Sequence, residues 1–211
     1  MIEQAKITGI KVDNDGTYLK VFVPKRNLQN EILEKRIRTC EIRLDDNRRI
    51  TSEQRKKAYA CIRDISRYTG IPPETQKELL KYLFVEKTGG EYISLSNCSM
   101  ETAKEFINVL LDYIIENGIQ MDESGVYRSE DIDHYLWKCL RERKCCVCGR
   151  KAEIHHSKAI GRGFNRKHFD DSNLMKMALC RNHHTESHTI GQKEFMKKYK
   201  VYGIKYKEDV E

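Results

Sequence analysis

The chain is poor in the residues that mark fibrous, low-complexity and membrane-spanning proteins. Its 211 residues include 3 prolines, 12 glycines and 1 tryptophan, which excludes collagen-like and proline-rich chains. No apolar run approaches the roughly 20 residues that a spanning helix needs, so we expect no association with a membrane. Because no apolar segment follows Lys6, residues 1–6 do not start a signal peptide. These absences predict a soluble protein of the cytoplasm.

The cysteines do not favour a disulfide-stapled fold, although there are 8 of them. Half are scattered along the chain, and the other half crowd into the spacing of zinc ligands. In a reducing compartment the scattered ones are expected to be small buried apolar residues. They are Cys40, Cys61, Cys98 and Cys139.

The net positive charge is confined to the C-terminal third. From Arg141 onward there are 17 Lys and Arg against 9 Asp and Glu, whereas residues 1–140 carry 22 against 23. Within the front part, a basic tract over 35–81 precedes an acidic one over 82–140. Concentrated Lys and Arg are typical of nucleic-acid-binding domains, because each neutralised phosphate releases counterions. For the front part alone, an ordinary solvated surface is the alternative.

Hydrophobic periodicity predicts an α+β fold. A hairpin is expected over 5–24, turning at Asp15-Gly16, and a third strand over 37–44. The predicted helices run over 52–70, 73–87, 100–116 and 131–143. Residues 119–129 are expected to be a linker. The acidic outer face of the helix over 100–116 is left for a protein partner that the sequence does not identify.

Two short motifs predict a structural zinc site. Cys145-x-x-Cys148-Gly149 has the spacing of a zinc knuckle, and Cys180-x-x-His183 supplies two more ligands of the same kind. A lone Cys-x-x-Cys is compatible with redox activity, but the second half-site favours structural Zn²⁺. Cys146 lies within the knuckle and is expected to be a spectator.

Histidines are concentrated in the same region, with six of the 7 between His155 and His188. His155 and His156 lie on a predicted strand over 152–160, where neighbouring side chains point to opposite faces, so the two rings should have different roles. His184 and His188 are four residues apart on the predicted last helix and share one face. With His155 they would form a three-histidine metal site with open positions for water and phosphate.

Residues 141–195 resemble the HNH, or ββα-metal, endonucleases, and the paired histidines are most similar to the colicin DNase branch. The resemblance implies that His155, His184 and His188 hold a catalytic divalent ion, which would be Mg²⁺, Mn²⁺, Ni²⁺ or Zn²⁺. It further implies that His156 is the general base and that Asn173 is the middle asparagine that fixes this base or its loop.

Two assignments within this resemblance stay open. Many members close the zinc site with a cysteine where this chain has His183, so His183 and His184 could exchange roles. Asn173 also lies farther from Cys180 than in compact members, which leaves His168 or Asn165 as substitutes. The Gly-rich loop before the predicted last helix adds candidate phosphate contacts at Arg162, Arg166 and Lys167.

The segments 44–49, 57–66 and 96–100 resemble the phage-λ Orf (NinB) recombination mediators, and the combination is similar to phage-encoded HNHc nucleases. The resemblance implies binding to single-stranded, gapped or branched DNA, contact with single-strand-binding protein and a homodimer. It also implies a phage or prophage protein in the bacterial cytoplasm. The candidate DNA contacts are Arg48, Arg49, Lys56 and Lys57. Tyr59 and Tyr68 are available for base stacking, with core or boundary positions as the alternative.

The sequence therefore predicts three parts. They are an N-terminal hairpin segment over 1–34, an Orf-like DNA-binding domain over 35–129 and a zinc-containing HNH domain over 130–211. The predicted function is metal-dependent cleavage of DNA in phage-type recombination. The alternative is a non-catalytic mediator whose HNH module only clamps DNA.

Overall fold

The computed structural model describes residues 5–40, 42, 47–157 and 173–207. The described chain mixes helices and short strands, as the sequence predicts. In chain order the elements are β1 (Lys6–Asp13), β2 (Gly16–Phe22), α1 (Leu28–Glu34), α2 (Ser52–Thr69), α3 (Pro73–Thr88), α4 (Met100–Glu116), α5 (Gly125–Arg128), α6 (Ile132–Arg141), β3 (Glu153–His156), β4 (Met175–Leu179), α7 (Arg181–Ile190), α8 (Gln192–Tyr199) and β5 (Ile204–Lys205). No helix in these ranges is both long and apolar enough to cross a bilayer.

The predicted N-terminal hairpin is confirmed. β1 and β2 pair antiparallel with Ile10 opposite Leu19, and the Asp13 carboxylate accepts hydrogen bonds from the backbone of Asp15 and Gly16 in the turn. The strand predicted over 37–44 is wrong for residues 37–40 and 42, which form none. Alternating apolar residues make a strand only where a neighbour completes the ladder of hydrogen bonds. Helix α1, which the sequence did not predict, precedes this segment.

Helix α2 forms where its end signals predict. The Thr51 hydroxyl accepts from the Gln54 backbone at 3.0 Å, and the Gln54 side chain accepts from the Thr51 backbone at 3.1 Å. This capping box satisfies two helix-end donors at once. Gly70 ends the helix at φ 74°, in the left-handed region that favours glycine. The predicted helix from Pro73 is likewise confirmed as α3.

Helix α4 is the centre of the core. Its apolar stripe packs against α2, α3 and α6, and the rings of Phe84 and Phe106 meet edge to face at 5.6 Å. Asp112, on the outer side, instead faces His134 of α6, with 2.9 Å between a carboxylate oxygen and Nε2. A hydrogen-bonded pair therefore joins the two helices at the edge of the core.

The stability of the protein is expected to depend on pH through His134. Its hydrogen bond to Asp112 raises the pKa of the imidazole above the usual 6.5. The resulting stabilisation is fully present below the usual pKa and is lost as the pH rises through the raised one. His134→Gln should therefore lower the free energy of unfolding more at pH 5.5 than at pH 8.5. Because the side chain is 34% exposed, the difference should stay below about 1 kcal/mol. Urea titrations at both pH values measure this difference. Equal losses of unfolding free energy at the two pH values would contradict a role of His134 in the pH dependence.

The expectation of a linker over 119–129 is wrong. Ile119, Val126 and Arg128 are 4%, 5% and 3% exposed, and the segment forms the short helix α5. Arg128 donates to the carboxylate of Asp64, which is itself buried on α2. A polar segment looks like a linker in sequence, but an arginine can be buried when a carboxylate pairs with it.

The zinc-motif region packs directly on the helical part. The Tyr135 hydroxyl of α6 donates to the Cys146 carbonyl at 3.1 Å, and the Cys146 amide donates to the Ala178 carbonyl at 3.0 Å. One cluster of buried residues extends from Ile50 to Tyr206 through both regions. Among the scattered cysteines, Cys61 and Cys139 are buried as predicted and Cys98 is partly buried. Cys40 is exposed, so that expectation is wrong for it.

Candidate metal centres

Two strands and one helix carry most of the candidate ligands. β3 pairs antiparallel with β4, placing His155 opposite Met177, and α7 begins one residue after β4. Cys180 is the residue that precedes α7. The order β3, β4, α7 brings the ends of these three elements close together, and the candidate ligands lie there.

The four residues of the predicted zinc motif lie together. Their ligand atoms are all within 4.8 Å of one another: Cys145, Cys148, Cys180 and His183. Cys148 and Cys180 sulfurs are 3.7 Å apart, and His183 Nδ1 lies 3.3 Å from Cys145 Sγ and 3.4 Å from Cys180 Sγ. Tetrahedral zinc, with bonds of about 2.3 Å to sulfur and about 2.0 Å to nitrogen, separates two sulfurs by about 3.8 Å and sulfur from nitrogen by about 3.5 Å. The group therefore has the dimensions to hold zinc.

The knuckle is held by its own backbone. The Gly149 amide donates to the Cys145 carbonyl at 2.8 Å, and the Cys145 amide donates to the Arg150 carbonyl at 2.7 Å. Gly149 has φ 70°, a conformation that residues with a Cβ rarely adopt. This tight turn points the sulfurs of Cys145 and Cys148 to the same place.

The protonation of the group follows from its surroundings. Burial raises the pKa of the Cys145 thiol to about 12, so this thiol needs a bound cation to ionise at neutral pH. Burial also opposes ionisation of Cys148, but the hydrogen bonds from Arg150, Cys145 and Cys180 together outweigh it and lower the pKa of that thiol. Burial lowers the pKa of His183, which favours the neutral ring that binds metals. Cys146 is buried outside the group, as expected of a spectator.

Three histidines form a second, separate group. Ring nitrogens of His155, His184 and His188 all lie within 4.8 Å of one another. The ring centroids are 4.7 Å apart for His155 and His184, 5.2 Å for His155 and His188, and 5.0 Å for His184 and His188. His155 is buried on β3 and His188 is exposed on α7, so the group is open to solvent on one side.

The electrostatics of this group favour a neutral ring at His155. Burial, followed by the charges of His184 and His188, lowers the pKa of His155 to about 4. A ring that stays neutral at physiological pH keeps a lone pair available for a metal ion. The donor set of three imidazoles with an open side suits a divalent transition metal.

The positions of His183 and His184 on α7 place the two rings in different groups. His183 points to the cysteines, with its ring 5.2 Å from that of Tyr199, while His184 points to His155. Consecutive residues of a helix differ by about 100° in direction, so the two rings serve different groups.

Two side chains next to these groups were missed from the sequence. Glu153 has a carboxylate oxygen 3.7 Å from His184 Nδ1, where it can orient that ring. Its signal is the position two residues before His155, on the same face of a strand. Arg150 donates from Nε to Cys148 Sγ at 3.3 Å. Its signal is a basic residue directly after the knuckle.

Among the described residues, His156 belongs to neither ligand group. His156, the predicted base, is partly buried and pairs in register with Lys176, on the strand face opposite to His155. Asn173 is exposed in the turn before β4. The other predicted phosphate contacts and substitutes lie outside the described residues: Arg162, Arg166, Lys167, His168 and Asn165.

The candidate DNA contacts of the front part lie at the start of α2 and just before it. Arg48, Arg49 and Lys56 are exposed, and Lys56 lines a shallow groove with Ser52, Arg55, Tyr59 and Arg63. Lys57 is paired within the protein, since its ammonium lies 2.5 Å from a carboxylate oxygen of Glu130.

Tyr59 is 38% exposed and Tyr68 is 59% exposed, so both are surface residues.

A comparison with known protein families identifies a nuclease family whose model spans both ligand groups. A family model described as "Putative HNHc nuclease" matches residues 23–211, from just after β2 to the end of the chain. No curated protein and no solved structure shows significant similarity. The family match includes both groups of ligands and the helical part on which they pack. The chain therefore belongs to this family of HNH nucleases.

Proposed function

We propose that the protein is a metal-dependent endonuclease that cleaves DNA phosphodiesters at the three-histidine group. The observation that carries the proposal is the presence of two neighbouring ligand groups. One lies on β3 and α7, and the other joins the knuckle before β3 to the start of α7. A chain that only needed a stable fold would have no use for the second group. Three imidazoles in a group that is open to solvent on one side are suited to bind an ion and a phosphate together.

The proposed roles follow from the chemistry of each side chain. When bound at His155, His184 and His188, a divalent ion such as Mg²⁺, Mn²⁺, Ni²⁺ or Zn²⁺ supplies charge to a phosphoryl oxygen and to the departing 3′ oxygen. His156 accepts the proton of the attacking water, and Asn173 holds this base or its loop. In-line attack would leave a 5′-phosphate and a 3′-hydroxyl.

The proposed substrate is single-stranded, gapped or branched DNA in phage-type recombination. Support comes from the groove on α2, where the cations of Lys56 and Arg63 flank the exposed ring of Tyr59. Cations that follow a backbone, together with rings that stack on bases, suit a single strand. Single-strand-binding protein and a second copy of the chain are the proposed partners, within the bacterial cytoplasm.

The proposed Orf-like part over 35–129 and HNH part over 130–211 are expected to act as one body. Support comes from the continuous core through both, including the hydrogen bond from Tyr135 to Cys146. The hairpin segment over 1–34 has exposed apolar side chains, such as Ile10 at 65% and Val12 at 71%. We expect the hairpin to be the part whose removal disturbs the core least.

Cleavage is tested with protein that keeps its structural zinc but has been dialysed against a weak chelator to empty the three-histidine group. It is incubated with supercoiled, linear, gapped and branched DNA and one divalent metal at a time. We expect wild type to cut at least one substrate. His156→Ala should reduce the rate by about 100-fold or more, because a general base contributes at least about that factor. His184→Ala should reduce it at least as much, because it removes one of the three ligands of the catalytic ion. Thr185→Ala is the matched control, since Thr185 is exposed on α7 beside His184.

The outcomes separate the proposal from its rival. No cleavage of any substrate with any metal, or full activity of His184→Ala, would refute the nuclease proposal. DNA binding that survives without cleavage would indicate the non-catalytic mediator instead. Loss of activity in Thr185→Ala as well would show that the substitutions disturb α7 rather than the chemistry.

DNA binding is expected to depend strongly on salt and on the groove of α2. Arg63→Gln should weaken binding and flatten the slope of log affinity against log salt by about 1, because one phosphate contact is lost. Lys57→Gln is the matched control, since Glu130 already holds that ammonium. Fluorescence anisotropy from 50 to 300 mM salt measures both. Equal effects of the two substitutions would contradict the assignment of this surface.

A further inference from the structure

We propose that Arg150 retains zinc in the protein by bridging and neutralising two of the ligand sulfurs. The proposal rests on zinc binding at Cys145, Cys148, Cys180 and His183, and it is independent of any nuclease activity. Arg150 is a positioning residue in this role, because it acts on the ligands and not on the ion.

The guanidinium spans two ligands that come from distant parts of the chain. Its Nε donates to Cys148 Sγ at 3.3 Å, and its Nη2 lies 3.9 Å from Cys180 Sγ. Cys148 belongs to the knuckle, whereas Cys180 directly precedes α7. One planar side chain therefore fixes the two halves of the site relative to each other, as a rigid fork of donors can.

The charge of the site explains why a cation is needed there. Three thiolates and a neutral imidazole around Zn²⁺ carry one net negative charge. An arginine stays protonated at any pH at which the protein is folded, so it cancels that charge without titrating.

The position of Arg150 matches the accessible side of the site. Cys145 and Cys180 are buried, whereas Cys148 is only partly buried. The guanidinium lies against this more accessible sulfur, which is where water or a chelator can first reach the ligands. Loss of the arginine should therefore raise the rate of zinc release while changing the stability of the zinc-bound fold little.

The experiment uses the full-length zinc-bound protein and a chromogenic zinc chelator in excess at pH 7. Arg150→Gln should release zinc about tenfold faster than wild type, at the lower end of what losing a partner of a metal ligand costs. Arg150→Lys keeps the positive charge but not the planar fork of donors. Its rate of zinc release should lie between those of wild type and Arg150→Gln. Lys151→Gln removes the neighbouring exposed cation and should stay within about twofold of wild type.

Each result decides the proposal. Release from Arg150→Gln at the wild-type rate overturns it, as does an equal acceleration in Lys151→Gln, which would show a general effect of charge. A protein without tightly bound zinc would remove the site and the proposal together. Because the readout is zinc and not cleavage, an inactive nuclease with slow, Arg150-dependent release still supports the role of Arg150. Circular dichroism of each zinc-bound variant confirms that the starting fold is the same.

Discussion

Removing zinc from the four-ligand group is expected to unfold the C-terminal sheet and helices. The ligands join the knuckle to α7, and the apparent free energy of zinc binding in small structural sites is about 10–16 kcal/mol at pH 7. That is as large as the whole stability of a typical domain, which is about 5–15 kcal/mol. Cys148→Ser should therefore abolish tight zinc binding and lower the melting temperature by well over 10 °C.

The zinc prediction is checked by metal analysis and thermal melting. Wild type should retain about one zinc after dialysis against a weak chelator, and a strong chelator should reproduce the melting curve of Cys148→Ser. Cys98→Ser is the matched control, since Cys98 is a partly buried cysteine outside both ligand groups. An unchanged melting temperature after complete removal of zinc would refute the structural role of the metal.

Breaking the buried ion pair between Arg128 and Asp64 is expected to have the next largest effect. The two side chains are 3% and 1% exposed. Arg128→Met leaves the Asp64 carboxylate without its main cation inside the core, which costs about 3–5 kcal/mol. Asp64→Asn combined with Arg128→Met removes both charges and should recover part of that loss.

Urea unfolding at pH 7 measures this coupling. The double variant should be more stable than the sum of the two single losses predicts, because the residues are in direct contact. Arg63→Met is the matched control, as Arg63 lies beside Asp64 on α2 with an exposed side chain. Strict additivity, or a loss below about 1 kcal/mol in Arg128→Met, would show that the pair is dispensable. A confirmed coupling would establish residues 119–129 as part of the core.

Local signals in the sequence were sufficient for the longer elements. The capping box of Thr51 and Gln54, the proline at position 73 and the apolar stripe of α4 each act within a few residues. The strand expected over 37–44 is absent from residues 37–40 and 42, because a strand also depends on a distant partner. The buried Arg128 was overlooked for a similar reason, since its partner Asp64 is 64 residues away.

The sequence by itself determined which residue types can serve as ligands, because the spacing of two cysteines in a knuckle or two histidines on a helix is a local property. It also determined that the cysteines and the histidines form two sets. Only the tertiary structure decided that His183 joins the cysteines, while His184 joins His155 and His188. It also placed Glu153 and Arg150 beside their ligands. The direction of a side chain depends on the packing of α7 against β3 and β4, and no local pattern of residues encodes that packing.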